Sequence, residues 1–242
     1  MEKQKNRAAH RAEIPTFLSQ FSPNWWRAAL AELGNTRKMV ISALLSAIAV
    51  VLTIAVVPVA GGNIRVMFTF IVSSLNAMIC GPFVGLVWGA VTDIVAFIAF
   101  GDGAFFPGYT LSEMLVSLTF AMFLYRRPLS FYRILAARAI INVFVNAGLG
   151  SLWIVLMGWS TKGYPVQFAM SLVKNMAMLP IETIVMSLLF YSLYPSLVRM
   201  KLIPKGDRRP LRRSEITVAI ALAVVLLAIS GFLFWWLVNH KF

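Results

Sequence analysis

The sequence predicts an all-α polytopic membrane protein: six helices form a core, and a seventh transmembrane helix is appended at the C-terminal end. Three observations predict it. Of 242 residues, 60% are hydrophobic and only 13% charged, against roughly 25% charge in a soluble domain; the mean hydropathy is +0.79. Charge-free windows run over 39–64, 66–92, 139–161 and 216–240, and a spanning helix needs only about 20 apolar residues. The 22 Lys and Arg against 9 Asp and Glu give a net charge of +13, and eighteen of those 22 cations fall on one side of the predicted topology. A soluble enzyme, a disordered chain and a disulfide scaffold are excluded; the single cysteine, Cys80, has no partner within the chain.

The elements follow in order. Residues 1–35 form a cytoplasmic N-terminal segment, and no cleavable signal is expected because the first apolar run starts only near residue 39. Within the segment, SPNWWRAALAEL (22–33) opens on Ser22 as a cap and Pro23 in the first turn. Trp25, Trp26 and Leu30 suit a short helix lying in the membrane interface. The core, 36–204, holds six predicted helices at 39–57, 64–79, 82–99, 109–125, 133–157 and 169–194. Cys80-Gly81-Pro82 separates the second from the third, since a Gly-Pro pair ends one helix and starts another. Residues 205–242 supply a basic linker and the seventh helix, 215–237.

Cations collect before the first helix (Lys3 to Lys38), between the fourth and fifth (Arg126 to Arg138), and between the sixth and seventh (Arg199 to Arg213). The positive-inside rule then puts the N-terminus in the cytoplasm and the C-terminus outside. The net charge is a topology signal, not a nucleic-acid signal. Arg65, Lys162, Lys174 and Lys241 are the exceptions.

Little enzyme chemistry is open to this chain. His10 and His240 lie at opposite ends and on opposite sides of the membrane, so no His-dependent triad or zinc site is expected. Asp93 and Asp102 do not reproduce an intramembrane aspartyl protease, whose second motif is Gly-x-Gly-Asp where this chain has Ala99-Phe100-Gly101-Asp102. No P-loop is present, so ATP is not hydrolysed here through one. An integral membrane enzyme and a stand-alone carrier are the rivals from other classes, and no convincing inverted repeat supports the carrier.

What remains is recognition. Ionisable groups within spans usually line a protein interior or a watery cavity. Arg65 and Lys174 near the outer face suit an anionic ligand; alternatively Arg65 snorkels, and Lys174 pairs with Glu182, Asp93 or Glu113. Phe105, Phe106 and Tyr109, around the Pro107-Gly108 turn, either sandwich a planar heterocycle or belong to an interfacial aromatic belt. Asn142 and Asn146, at i and i+4, either bond a neighbouring helix or read a ligand. Two small-residue faces, Ala43/Ala47 and Gly81/Gly85/Gly89, permit close approach within the fold or to another subunit.

Four stretches carry a family resemblance: NIRVMF (63–68), CGPFVGLVWG (80–89), GAFFPGYTLS (103–112) and LVKNMAMLPIE (172–182). In order and spacing they resemble the substrate-binding S components of energy-coupling-factor (ECF) vitamin transporters, specifically the folate type, over roughly residues 24–204. The resemblance implies a six-helix protein that captures folate from outside, while a membrane T component and two cytoplasmic ATPases supply the energy. An S component for another anionic vitamin, such as pantothenate, is the nearest alternative. The family resemblance further implies that the loops 58–65 and 101–109 close over the ligand; together with the residue readings above, the expected ligand contacts are Arg65, Phe68, Phe105, Phe106, Pro107, Tyr109, Asn142, Asn146, Lys174 and Asn175. By the resemblance, docking on the T component falls on Ala43 and Ala47; from the small-residue pattern, subunit contact is also expected at Gly85 and Gly89. Two departures are Ser171, where the family pattern has Arg, and the addition beyond residue 204.

Overall fold

The computed structural model describes residues 18–54, 56–59, 64–101 and 104–205, with backbone alone for 56–59 and 64–67, and scattered positions between 217 and 228. Ser22 Oγ accepts the Asn24 N–H at 3.3 Å and Pro23 fills the first turn of α1 (Pro23–Ala31). A 3-10 turn, Glu32–Gly34, leads to Asn35, whose Oδ1 accepts the Lys38 N–H at 3.3 Å and caps α2 (Thr36–Leu52). The chain bends by 78° between α1 and α2. α1 is more than an interfacial anchor. Trp26 and Leu30 are exposed as expected, but Trp25 is fully buried and its indole N–H donates to the Tyr125 carbonyl at 3.2 Å.

That docking is locked by charge. Glu32 Oε1 accepts from Lys38 Nζ at 2.6 Å, from the Tyr125 hydroxyl at 2.9 Å and from Arg126 Nη2 at 3.2 Å. Two cations and a phenol thus satisfy one buried carboxylate, which makes its burial tolerable.

After α2 the structure corrects the expected spans. Residues 53, 54, 56, 57 and 64–68 are not helical. β1 (Val56–Val59) and β2 (Ile64–Met67) pair antiparallel, with Val56 opposite Met67 and Pro58 opposite Arg65. Val-Val-Pro-Val explains it: β-branched residues favour strands, and Pro58 cannot continue a helix and disfavours helical geometry at Val57.

α3 (Thr69–Cys80) is central, with nine of its 12 residues buried. At about 18 Å it is shorter than the roughly 30 Å hydrocarbon core. Gly81, at φ 84°, makes the turn, and Pro82 starts α4 (Pro82–Phe100). The expected break at Gly-Pro is where the structure has it. α5 (Pro107–Leu124) packs closely along α4. α6 (Phe131–Leu156) changes from α- to π-helix over Ile141–Leu149 and back. α7 (Tyr164–Arg199) is a 36-residue helix with Pro180 and Pro195 inside it. Among the described residues α4, α6 and α7 are each long and apolar enough to cross a membrane, and α1 with α2 passes as a bent pair. The expected seventh helix falls mostly outside the described residues. Its described positions from 217 to 228 are helical, and Val218, Ile220, Val224 and Val225 are exposed.

Packing is uneven along the bundle. The main core gathers Trp25, Phe120, Tyr125, Ile134, Met186 and Phe190 toward the α1 end. The opposite end, where α2 stops and α5 begins, contains open space.

The glycine face of α4 is spent inside the chain, which corrects the expectation of subunit contact at Gly85 and Gly89. Both are buried. A Cβ at Gly85 would lie 3.5 Å from Ser117 Cβ, and one at Gly89 would lie 2.7 Å from the Glu113 carbonyl oxygen. At Gly89 only glycine lets the α4 and α5 backbones meet, whereas a methyl at Gly85 would make ordinary contact.

Candidate functional site

The open end holds a cavity of about 290 Å³, near the lower bound for small-molecule sites. Four segments build it: Thr53 after α2; Asp93, Ala96, Phe97 and Phe100 on α4; Ala104, Phe105, Phe106 and Tyr109 around the start of α5; and Trp159 after α6. Its walls are aromatic. Phe97 and Phe105 meet edge to face at 5.2 Å, Phe106 packs on Trp153 at 5.5 Å, and Tyr109 lies nearly parallel to Trp159 at 6.0 Å. Pro107 opens α5, so the chain arrives extended at Phe106 and turns into helix at once. Trp153 Nε1 donates to Ser112 Oγ at 2.9 Å, tying α6 to the start of α5.

The cavity floor is acidic. Thr110 Oγ1 donates to Asp93 Oδ2 at 2.6 Å. Beneath lies a second cavity of about 120 Å³, lined by Ala49, Thr53, Thr69, Ser73, Trp88, Thr92, Asp93, Ala96 and Glu113. Thr53, Asp93 and Ala96 line both. Among the described residues no Lys or Arg lines either cavity.

The expected site residues divide accordingly. Phe105, Phe106 and Tyr109 line the larger cavity and Pro107 positions them. Phe68 precedes α3 and lies outside both linings. Arg65 stands in β2, its side chain outside the described set. Residues 60–63 and 102–103 of the two expected closing loops also lie outside it.

Asn142 and Asn146 do not reach the cavity lining. Asn142 is fully buried, and its amide donates at 3.0 Å both to the Asn175 carbonyl and to Glu182 Oε2. Asn146 donates to Asn142 Oδ1 at 3.0 Å, and Asn175 Nδ2 donates to the Ser171 carbonyl at 2.8 Å. The Asn142 amide joins α6 to α7, while those of Asn146 and Asn175 bond within their own helices. Their partner Glu182 is held by Arg138, through Nε at 2.7 Å and a second bond from Nη2. Lys174 therefore has no claim on Glu182. It is exposed on the same side of α7 as Met170, Ile181 and Leu188, with no ion pair among the described residues, and it lines neither cavity.

Sequence reading missed Trp159, Phe97, Phe100 and Glu113 as parts of this region. Trp159 carried a usable signal, because the loop after the fifth span returns to the same end as the FFPGY loop. Ala43 and Ala47 are exposed, among the exposed Val40, Leu44, Ile48 and Val51.

Comparison with known proteins gives this geometry a family. A family model described as "ECF transporter, substrate-specific component" matches residues 37–203. A folate transporter FolT of Clostridium novyi is 35% identical over 122 residues, covering 50% of this chain and 70% of that protein. A folate transporter FolT of Leuconostoc mesenteroides is 30% identical over 153 residues, covering 61% and 81%. A crystal structure of FolT bound with folic acid superposes with a TM-score of 0.56 at 28% identity, covering 63% of this chain and 90% of that one. It shares the all-helical membrane fold. The family model spans more than half of the chain, and the chain belongs to the substrate-specific components of ECF transporters, a multi-pass membrane transport protein and not an enzyme.

Proposed function

We propose that this chain captures folate at the open end of its bundle, that this end faces outward, and that a T component and two ATPases drive uptake. The observation that carries the reading is the aromatic-walled cavity with a carboxylate at its floor. Folate combines a flat pteridine, an aryl ring and a glutamate. Phe106, Tyr109 and Trp159 offer the apolar faces such rings require. Submicromolar capture needs about −8 to −12 kcal/mol. Stacking at about 0.5–1.5 kcal/mol per ring cannot supply that, so burial and charge-assisted hydrogen bonds provide the rest. The FolT relatives and the folic-acid-bound FolT structure support the same ligand.

The purified chain is expected to bind folate without ATP, about one per chain, with quenching of its tryptophan fluorescence. Phe106→Ala is expected to weaken binding by about 1–3 kcal/mol, the cost of losing a buried aromatic contact. Binding of pantothenate with no response to folate would overturn the substrate assignment. The orientation has its own check. A cysteine at Gly163, in the turn before α7, should react with an impermeant thiol reagent from outside; labelling from the cytoplasm alone would reverse the topology.

The docking role of Ala43 and Ala47 belongs to the same reading. Their exposure beside an apolar stripe leaves that face of α2 open to a T-component helix.

A further inference from the structure

At the end of the bundle away from the cavities, α1 presents a surface that the described residues leave uncovered. The 78° bend lays α1 nearly across the axis of α2, which runs into the membrane. Trp25 and Ala29 turn one side of α1 into the bundle, where both are fully buried. Successive residues step about 100° around a helix, so Trp26 lies next to that buried side and Arg27 lies beyond Trp26. Leu30 repeats the Trp26 position one turn on. Trp26 reaches the bundle through an edge contact to Phe83 at 5.9 Å. It nevertheless stays exposed with Leu33, while Leu30 is 51% and Phe21 86% exposed.

Charge at this end is as one-sided as the apolar stripe. Arg27 and Arg37, on either side of the bend, are exposed and have no ion-pair partner among the described residues. Glu32 is the one described acid at this end, and Lys38, Tyr125 and Arg126 already occupy it. A helix with an apolar stripe beside unpaired arginines fits the boundary of a membrane leaflet. The stripe requires acyl chains, and the guanidiniums require anions at headgroup depth. Phosphate oxygens match the guanidinium fork. We propose that α1 and the start of α2 form a binding site for anionic phospholipid, with Arg27 and Arg37 on headgroup phosphates and Trp26, Leu30 and Leu33 among the acyl chains. The Trp25 bond to Tyr125 and the Glu32 cluster fasten α1 to the end of α5. Lipid held by α1 therefore steadies this end of the whole bundle, and its binding raises stability by mass action.

The test titrates the full-length chain in neutral detergent with phosphatidylglycerol, phosphatidylcholine and inorganic phosphate. Native mass spectrometry counts bound lipid, and thermal unfolding gives Tm. Phosphatidylglycerol is expected to bind about tenfold or more tighter than phosphatidylcholine and to raise Tm, with a preference that shrinks in 1 M salt. Arg27→Gln should weaken phosphatidylglycerol about fivefold, near the attraction of one basic residue at a membrane surface. Arg27→Gln with Arg37→Gln should weaken it about twentyfold or more and leave phosphatidylcholine unchanged. Lysine at both positions should restore most of the preference, which separates lost charge from a folding defect. Arg199→Gln with Lys201→Gln, at exposed cations ending α7, should keep the preference intact. Equal binding of the two lipids to wild type would mean an apolar face without headgroup recognition. A preference that survives in the Arg27 and Arg37 double variant would put the lipid elsewhere. Displacement by inorganic phosphate would mean a free-anion site, and lost uptake with unchanged lipid binding would mean an acidic protein partner. Each of these four results overturns the assignment.

Discussion

Replacing Glu182 by alanine is expected to lower stability by about 3–5 kcal/mol, the cost of stripping the partner from a buried charge. Arg138 is 5% exposed and Glu182 8%. The guanidinium also sits 4.4 Å from the centre of the Phe70 ring, so it touches α3 as well as α7. Without the carboxylate, Arg138 would keep its charge in an apolar interior, and the Asn142 amide would lose one of its two acceptors. Thermal unfolding in detergent measures the effect. Changing Arg138 and Glu182 together to leucine should recover most of the loss, because a pair replaced by apolar residues costs far less than a pair broken. A single variant as stable as wild type would show that water reaches the pair and solvates the orphaned charge.

The second large effect is on transport. Ala47→Trp is expected to abolish uptake in cells supplying the other subunits while leaving folate binding near wild type. Ala43 and Ala47 lie one turn apart on the exposed face of α2. A T-component helix seated against them would be displaced by an indole, and overpacking a tight contact costs about 1–3 kcal/mol or more. Ala47 is six residues, about 9 Å, from Thr53 at the cavity rim, so the ligand should be little affected. Uptake and equilibrium binding measured on the same variant separate the cases. Normal uptake would mean that this face meets lipid alone; joint loss of binding and uptake with a lowered Tm would mean a folding defect.

The helices were legible because apolar runs, charge gaps and a Gly-Pro pair are local signals. The β1–β2 hairpin was not, since a valine-rich strand is as apolar as a span; Pro58 was the clue that a helix could not pass. At the site, Phe105, Phe106 and Tyr109 could be read from one short stretch. Trp159 comes from a distant loop, whose return to the same end was its one signal, and Glu113 sits on the same helix as Tyr109, its facing set by the rotation of that helix. Lys174 attracted attention as a misplaced cation, yet its spacing from Met170, Ile181 and Leu188, at four, seven and fourteen residues, already put it on their side of the helix. The amides of Asn142 and Asn146 fitted two readings, and the bonds of Asn142 to Asn175 and Glu182 depend on positions that no sequence window contains. The Glu32 cluster joins residues up to 94 apart in sequence, a pairing that no window of sequence contains.

The contact at Gly89 ties the width of the smaller cavity to a residue that has no side chain. Asp93 stands one turn beyond Gly89 on α4, and Glu113 is the α5 residue whose backbone touches it. A methyl group at position 89 would need the helices to part by about 0.7 Å to move from 2.7 Å to an ordinary 3.4 Å contact. The two carboxyl-bearing walls would separate with them. The spacing of those two walls is thus a property of the backbone, held by one residue that contributes no side chain.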